Sequence, residues 1–345
     1  MPSIKKHAPP VNVNNRRVIN GLEADVIQLY PMKHRFAWEY YNAANANHWL
    51  PTEISMQLDI EQWKNPGVLT ADERSAMETV LGFFTTADSI AANNIVMGFY
   101  KHVTSPEIRM YLLRQAYEEA IHTHAYQYIV ESLAMDEAKI FNMYREVDAI
   151  YNKEEFILGF NEGIFDGSFK TGTFETDQKF LENWCVFSLI LEGIFFYSSF
   201  AVVLGFKRQN KLPGSCEQIE YIMRDESMHL NFGIEIINTL KEENPDLWTR
   251  DFQDHLIELV RRATKLEYTF AQEVFPHGIF GLNADGFKQY IEYIADRRLE
   301  RVGLPAQFGV LSPFPWMSEA IDLSKKKNFF ETRVTEYKTG GSLEW

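Results

Sequence analysis

Cysteine is almost absent: Cys185 and Cys216 are the only two in 345 residues, and neither sits in a CxxC or zinc-like spacing. A disulfide framework is excluded, and a chain of this length can bury a substantial core without one. A reducing, cytoplasmic setting is the simplest reading. Basic charge is in deficit too. Against 48 acidic residues stand 34 lysines and arginines, a formal net charge of −14. That excludes a general electrostatic grip on nucleic acid, which needs clustered Lys and Arg to neutralise phosphates. Alternating strand patterns are scarce, no internal repeat is visible, and no GxxxxGK[ST] phosphate loop occurs. Lys5 and Lys6 precede no apolar stretch, so no signal peptide is expected.

Aromatic residues, by contrast, are plentiful: 26 Phe, 16 Tyr and 7 Trp point to a well-packed interior. One apolar run, Trp184 to Phe206, has 23 residues with Glu192 as its single charge. Its length would suffice to cross a bilayer. A charge at the bilayer centre would cost at least ~2.5 kcal/mol, however. Glu192 has prospective partners on other helices, so a helix buried inside a bundle is expected and no membrane is.

Helical punctuation organises most of the chain. Residues 1–30 read as irregular, with Pro9-Pro10 and an Asn-rich run. Thr70 with Glu73 three residues on forms a capping box and opens a helix from about Ala71 to His102. Ser105-Pro106 opens a second. A third spans about Asp177 to Phe206, Leu212-Pro213-Gly214 ends it, and a fourth follows from Cys216. Further helices are expected near 247–275 and 285–302. Beyond Pro313 a lysine run and a Gly-Gly pair read as a mobile tail. The expected fold is all-α: a helical bundle over residues 31–312, between an irregular segment 1–30 and a tail 313–345.

Two ExxH motifs occur, Glu119-Ala-Ile-His122 and Glu226-Ser-Met-His229. Residues i and i+3 share a helix face, so each pair could chelate one side of a metal. With 33 glutamates and nine histidines, chance alone gives about one such pair, so the motifs prove nothing by themselves. Their setting is doubled, however. Asp88 lies in an apolar helix before the first motif, and Glu192 lies in the most apolar helix before the second. Asp88 alone would read as a cap or a solvated side chain, and Glu192 alone as an interhelical contact. Together, four helices offer four carboxylates and two imidazoles. That is the donor set of a ferritin-like bundle holding two metal ions. Without metal, burying those acids would be costly, and they would take up protons instead. Glu118 and Asp225 stand about 100° from the metal face, where a solvated face or an outer shell around the ligands is expected. His124 falls on another face and reads as structural.

Tyr126 is four residues past His122 and seven past Glu119, on the metal-facing stripe, whereas Tyr128 points away. Phe196, Phe200 and Ile222 share the facing stripes of their own helices; ordinary core packing accounts for each, and together they could wall Tyr126 from water. A phenol beside a buried dimetal site is positioned to lose an electron, and a dry pocket would protect the radical.

The segments LRQAYEEAIHTHAY, RDESMHLNFG and WLPTEI and the tyrosine-bearing tail resemble the small, radical-generating subunit of class I ribonucleotide reductase. The resemblance runs from about residue 15 to the end. It is especially similar to the chlamydial type, which uses a manganese–iron centre and has Phe at the radical position. Here Tyr126 stands at that position, and Asp88 stands where the chlamydial type has Glu. Both departures favour two irons, with manganese–iron the other pairing. The resemblance implies that Asp88 and His122 hold one metal, Glu192 and His229 the other, and that Glu119 and Glu226 bridge. It implies that O₂ is activated there and that Tyr126 gives up an electron and a proton. The radical equivalent would leave through Trp49, with Asp225 and His122 as a hydrogen-bonded link, to Tyr337 in the tail. It would end on a cysteine of the large catalytic subunit, where ribonucleotides become deoxyribonucleotides. Tyr221 would assist electron delivery during activation, GSLEW at the end would dock on the large subunit, and the chain would form a homodimer. A dimetal oxidase or monooxygenase, or a ferroxidase bundle, would share the metal site but would need neither the tail nor Tyr126 in an aromatic pocket.

Overall fold

The computed structural model describes residues 12–22 and 26–317, so Tyr337 and the docking end of the tail lie outside the described residues. Eleven α-helices occur among the described residues, with no strands and only isolated bridges, Ile19 with Val103 and Ile279 with Leu282. They are α1 (Arg35–Ala46), α2 (Gln57–Lys64), α3 (Ala71–Asn93), α4 (Pro106–Ser132), α5 (Glu137–Glu146) and α6 (Asp148–Phe165), followed by α7 (Phe174–Cys185), α8 (Phe196–Arg208), α9 (Pro213–Glu243), α10 (Arg250–Val274) and α11 (Ala284–Arg301). The architecture is a ferritin-like helical bundle, with α3, α4, the segment joining α7 to α8, and α9 around the centre.

Local chemistry sets where the central helices begin. The Thr70 hydroxyl accepts from Glu73 N at 3.2 Å, and the Glu73 carboxylate accepts from Thr70 N at 2.9 Å, which closes the capping box of α3. Pro106 takes the first position of α4, where its missing N–H is no loss. At the start of α9, Asp59 of α2 accepts from Gly214 N at 2.8 Å and Ser215 N at 2.7 Å. A carboxylate there satisfies orphan donors and sits well with the helix dipole. Gly214 is needed, since a Cβ would fall 2.4 Å from Ser55 O.

The apolar run forms one rod. α7 continues through a π-helical segment, Val186–Phe195, into α8. The rod passes the length and hydropathy test for a membrane span, yet the whole of its most apolar stretch is buried inside the protein. A π-helical turn shifts hydrogen bonding from i−4 to i−5 and leaves carbonyls to be satisfied elsewhere. Gly193 O accepts from Arg298 Nε of α11 at 2.8 Å. Close approach of α9 to this segment depends on Gly233, where a Cβ would lie 2.1 Å from Ser188 Oγ.

The structure departs from the sequence reading in places. α3 gives way at Asn94–Phe99 to a second π-helical segment and ends short of His102. Helices α1, α2, α5 and α6 fill stretches for which no element was expected. α5 nevertheless carried a signal, Asp136, whose side chain accepts from Lys139 N at 3.0 Å as its N-cap.

Three helix ends meet at His34, just before α1. Lys33 N and His34 N donate to Glu107 Oε1 at 2.9 and 2.8 Å, at the start of α4. His34 Nε2 lies 3.0 Å from Glu243 Oε1 at the end of α9, and Lys33 Nζ lies 2.7 Å from the same oxygen. Burial alone would lower the imidazole pKa, but hydrogen bonds to Glu107 and Glu243 outweigh it and raise it. Burial would likewise raise Glu107, yet its bonds from His34 bring it down to about 2. The cationic His34 therefore contributes stability that is full below its unfolded pKa of about 6.5 and fades as pH rises through the raised folded value. The Glu107 share is lost only as pH falls from its ordinary value towards about 2. We expect His34→Gln to cost about 1–3 kcal/mol by urea unfolding near pH 6, with the gap narrowing as pH rises. A gap unchanged between roughly pH 5.5 and 9 would rule out a charged His34.

Candidate metal centre

Six side chains with no exposed surface converge between α3, α4, the π-helical segment and α9. His122 Nδ1 lies 3.2 Å from Asp88 Oδ1, 3.5 Å from Glu119 Oε2 and 3.1 Å from Glu226 Oε1. His229 Nδ1 lies 3.2 Å from Glu119 Oε1, 3.9 Å from Glu192 Oε1 and 3.3 Å from Glu226 Oε2. Two donor groups result, Asp88–Glu119–His122–Glu226 and Glu119–Glu192–Glu226–His229, each with its donor atoms within 4.8 Å of one another. Glu119 and Glu226 each turn one oxygen to either group, the arrangement of bridging carboxylates.

The donor chemistry fits two divalent cations. Asp88 Oδ2, Glu192 Oε2, both oxygens of Glu119 and of Glu226, and His229 Nδ1 are buried without a hydrogen-bond partner. Orphaned polar atoms on this scale, gathered in one buried cluster, are not left so in a folded core unless something else satisfies them. Four carboxylates would balance two divalent charges. In the absence of metal, burial drives Asp88 and Glu192 well above the usual carboxylate range, and the neighbouring acids add to it. Burial would raise Glu119 as well, but the His122 and His229 imidazoles beside it pull it down to about 2. The carboxylate partners also raise both imidazoles, against their burial. Metal entry must therefore displace protons.

Around these donors stand groups that hold them. Gln115 Nε2 donates to Glu192 Oε1 at 2.8 Å. His122 Nε2 faces Asp225 Oδ2 at 3.4 Å, and the same oxygen accepts from Trp49 Nε1 at 2.8 Å. Trp49 packs against Tyr221 with ring centroids 5.3 Å apart, under a surface cavity of about 240 Å³ that Glu53, Glu217 and Arg224 also line. Asp225 and Glu118, the two acids preceding the ExxH motifs, are both buried beside the other motif's histidine. Of the two expectations for them, an outer shell around the ligands is therefore the one observed. His124 is exposed, and the half-buried Tyr128 points its hydroxyl at Ile54 O, 3.5 Å away.

Tyr126 is fully buried, and its hydroxyl donates to Asp88 Oδ1 at 3.3 Å. Burial and the nearby acids push its pKa well above the ordinary phenol value, so the phenol keeps its proton. The ring stacked on it is Phe84, at 5.1 Å and 4°. Phe196 and Phe200 pack against Phe84 at 6.1 and 5.4 Å, as a second row. Phe84 and Gln115 were not singled out from the sequence, although each lies four residues before a member of the donor cluster, Asp88 and Glu119 respectively, on the same helical stripe.

Comparisons with known proteins agree with this architecture. The family described as ribonucleotide reductase, small chain, matches residues 26–313. A ribonucleoside-diphosphate reductase subunit beta from Chlamydia pneumoniae is 49% identical over 335 residues, 97% of this chain and 96% of that protein. A ribonucleoside-diphosphate reductase small chain from Plasmodium falciparum is 30% identical over 95% of this chain and 88% of its own length. Among solved structures, the ribonucleotide reductase R2 subunit from Clostridium botulinum superposes with a TM-score of 0.79 at 28% identity, covering 89% of this chain and 94% of that one.

Replacing Glu192 by Ala should lower the metal content read by atomic spectroscopy, and a wild-type content would refute its role as a donor. In the metal-free protein, Glu192→Gln should be no less stable than wild type, because it removes an acid whose burial is unfavourable. A loss above about 1 kcal/mol would assign Glu192 to the scaffold instead.

Proposed function

The chain belongs to the ribonucleotide reductase small-chain family, as a beta-type subunit of a class I ribonucleoside-diphosphate reductase that works with a large subunit, and we propose that Tyr126 is its radical-bearing residue. The observation that carries this is a phenol with no exposed surface, 3.3 Å from Asp88 Oδ1 at the edge of the donor cluster. In this reading Asp88, Glu119, His122, Glu192, Glu226 and His229 hold two metal ions. When bound, those ions would supply an oxidant made from O₂ that takes one electron from a phenol. Tyr126 loses that electron together with its hydroxyl proton, for which Asp88 Oδ1 is the acceptor within reach. Phe84 and the rings behind it exclude water, so the radical is not quenched.

The proposed exit is Trp49. Its indole N–H and the His122 imidazole share Asp225 Oδ2, so a proton and an electron can shift together along one line of side chains. From there the line continues to Tyr337, and Tyr221, packed against Trp49, serves electron delivery during activation. The terminal segment docks on the large subunit, two copies of this chain form the working dimer, and the cytoplasm is its setting. Two irons are the proposed metal pair. Carboxylate and imidazole donors suit manganese as well, which leaves manganese–iron as the second pairing.

Reduced protein loaded with Fe(II) and exposed to O₂ should give a tyrosyl signal in electron paramagnetic resonance, lost in Tyr126→Phe. No signal in wild type, or one that survives the substitution, would count against Tyr126. Ending the chain after Lys338 should abolish binding to the large subunit while leaving radical formation intact. Binding at wild-type strength would remove the docking role from the last residues.

A further inference from the structure

Both metal-facing histidines turn Nδ1 into the carboxylate cluster, which leaves each Nε2 pointing outward to a carboxylate. The two pairings are exchanged between helices. Asp225, which precedes the α9 motif, serves His122 of α4, and Glu118, which precedes the α4 motif, serves His229 of α9. Glu118 is 2% exposed, and its Oε2 lies 3.0 Å from His229 Nε2. Its other oxygen, Oε1, lies 3.3 Å from Arg114 Nη2, and that guanidinium nitrogen donates to Ala44 O of α1 at 2.9 Å. Asp225 has the same kind of support, with Arg224 3.2 Å from Oδ1 and donating to Asn47 O at 2.5 Å. The two acids differ in what they share. Asp225 divides its charge between His122, Arg224 and the Trp49 indole, whereas Glu118 is paired with His229 and Arg114.

We infer that Glu118 is a positioning residue for the metal position built from Glu192 and His229. Held by Arg114 against α1, Glu118 fixes the proton of the His229 imidazole on Nε2 and leaves the Nδ1 lone pair aimed at the metal. Its negative charge makes that nitrogen a stronger donor. Carboxylates behind metal-ligating histidines act in this way, and their loss typically weakens metal binding about 10–100-fold. The inference rests on the two-metal reading given above. Its competitor is a plain buried ion pair with Arg114, which would hold α4 to α1 and leave the metal untouched.

The two are separated by titrating the full-length, metal-free protein with Mn(II) alone and reading the free ion by electron paramagnetic resonance. Wild type should bind two Mn(II) per chain. In Glu118→Gln, one of the two should weaken about 10–100-fold and the other should keep its affinity. Thermal unfolding of the metal-free variant reports on the fold. In a Glu192→Ala background, where that position is already lost, Glu118→Gln should change nothing further. Wild-type affinity at both positions in Glu118→Gln would overturn the inference in favour of the ion pair. So would equal weakening at both positions with a lowered unfolding temperature, or additive losses in the double variant. Fewer than two Mn(II) in wild type would instead overturn the two-metal reading and this inference with it.

Discussion

Mutual repulsion among four acids packed into one dry centre is the constraint that organises this molecule. Asp88, Glu119, Glu192 and Glu226 each come from a different helical segment, and none has exposed surface. Left alone, such a cluster pushes its helices apart or takes up protons. Interdigitated packing around it opposes that tendency: Gly233 lets α9 approach the π-helical segment, and Asp59 fastens the start of α9. The two imidazoles stand between the acids and offset part of the charge. Much of the bundle can be understood as a rigid holder for an arrangement that its own electrostatics disfavour until cations enter.

The centre has two unlike sides. Towards Tyr126 it is hydrocarbon, with Phe84 stacked on the phenol and further rings behind it. Towards Trp49 it is polar, with Asp225 and Arg224 leading to a cavity at the surface. A radical needs the first environment to persist and the second to leave. The division follows from helix geometry, because Tyr126 and Asp225 lie on opposite sides of His122, one reached through Asp88 and the other through Nε2.

Much of this was legible in the residues. The doubled unit of an apolar helix with one acid, followed by a helix with ExxH, gave the six donors and the all-α bundle, because i and i+3 share a face whatever surrounds them. Helices α1, α2, α5 and α6 went unread: none carries a chemical motif, and three of them have twelve residues or fewer, a length at which a helix draws its stability from packing. Glu118 shows a different limit. Its angle from the metal face was readable, but whether that direction led to water or to His229 depended on where α9 lay. Phe84 illustrates the same point, as its spacing from Asp88 was visible while its stacking partner was not.

The widened turns of the apolar rod carry one more implication. Within Val186–Phe195 the chain departs from ordinary α-helical pitch, and Arg298, more than a hundred residues later, caps the carbonyl next to Glu192. Were that guanidinium withdrawn, the widened turn beside Glu192 would lose a bond from outside the rod, which would favour rewinding to a regular spiral. Rewinding by a single residue swings a side chain through about 100°. The direction in which Glu192 faces is thus tied to Arg298 of α11, ninety residues beyond the rod's end at Arg208.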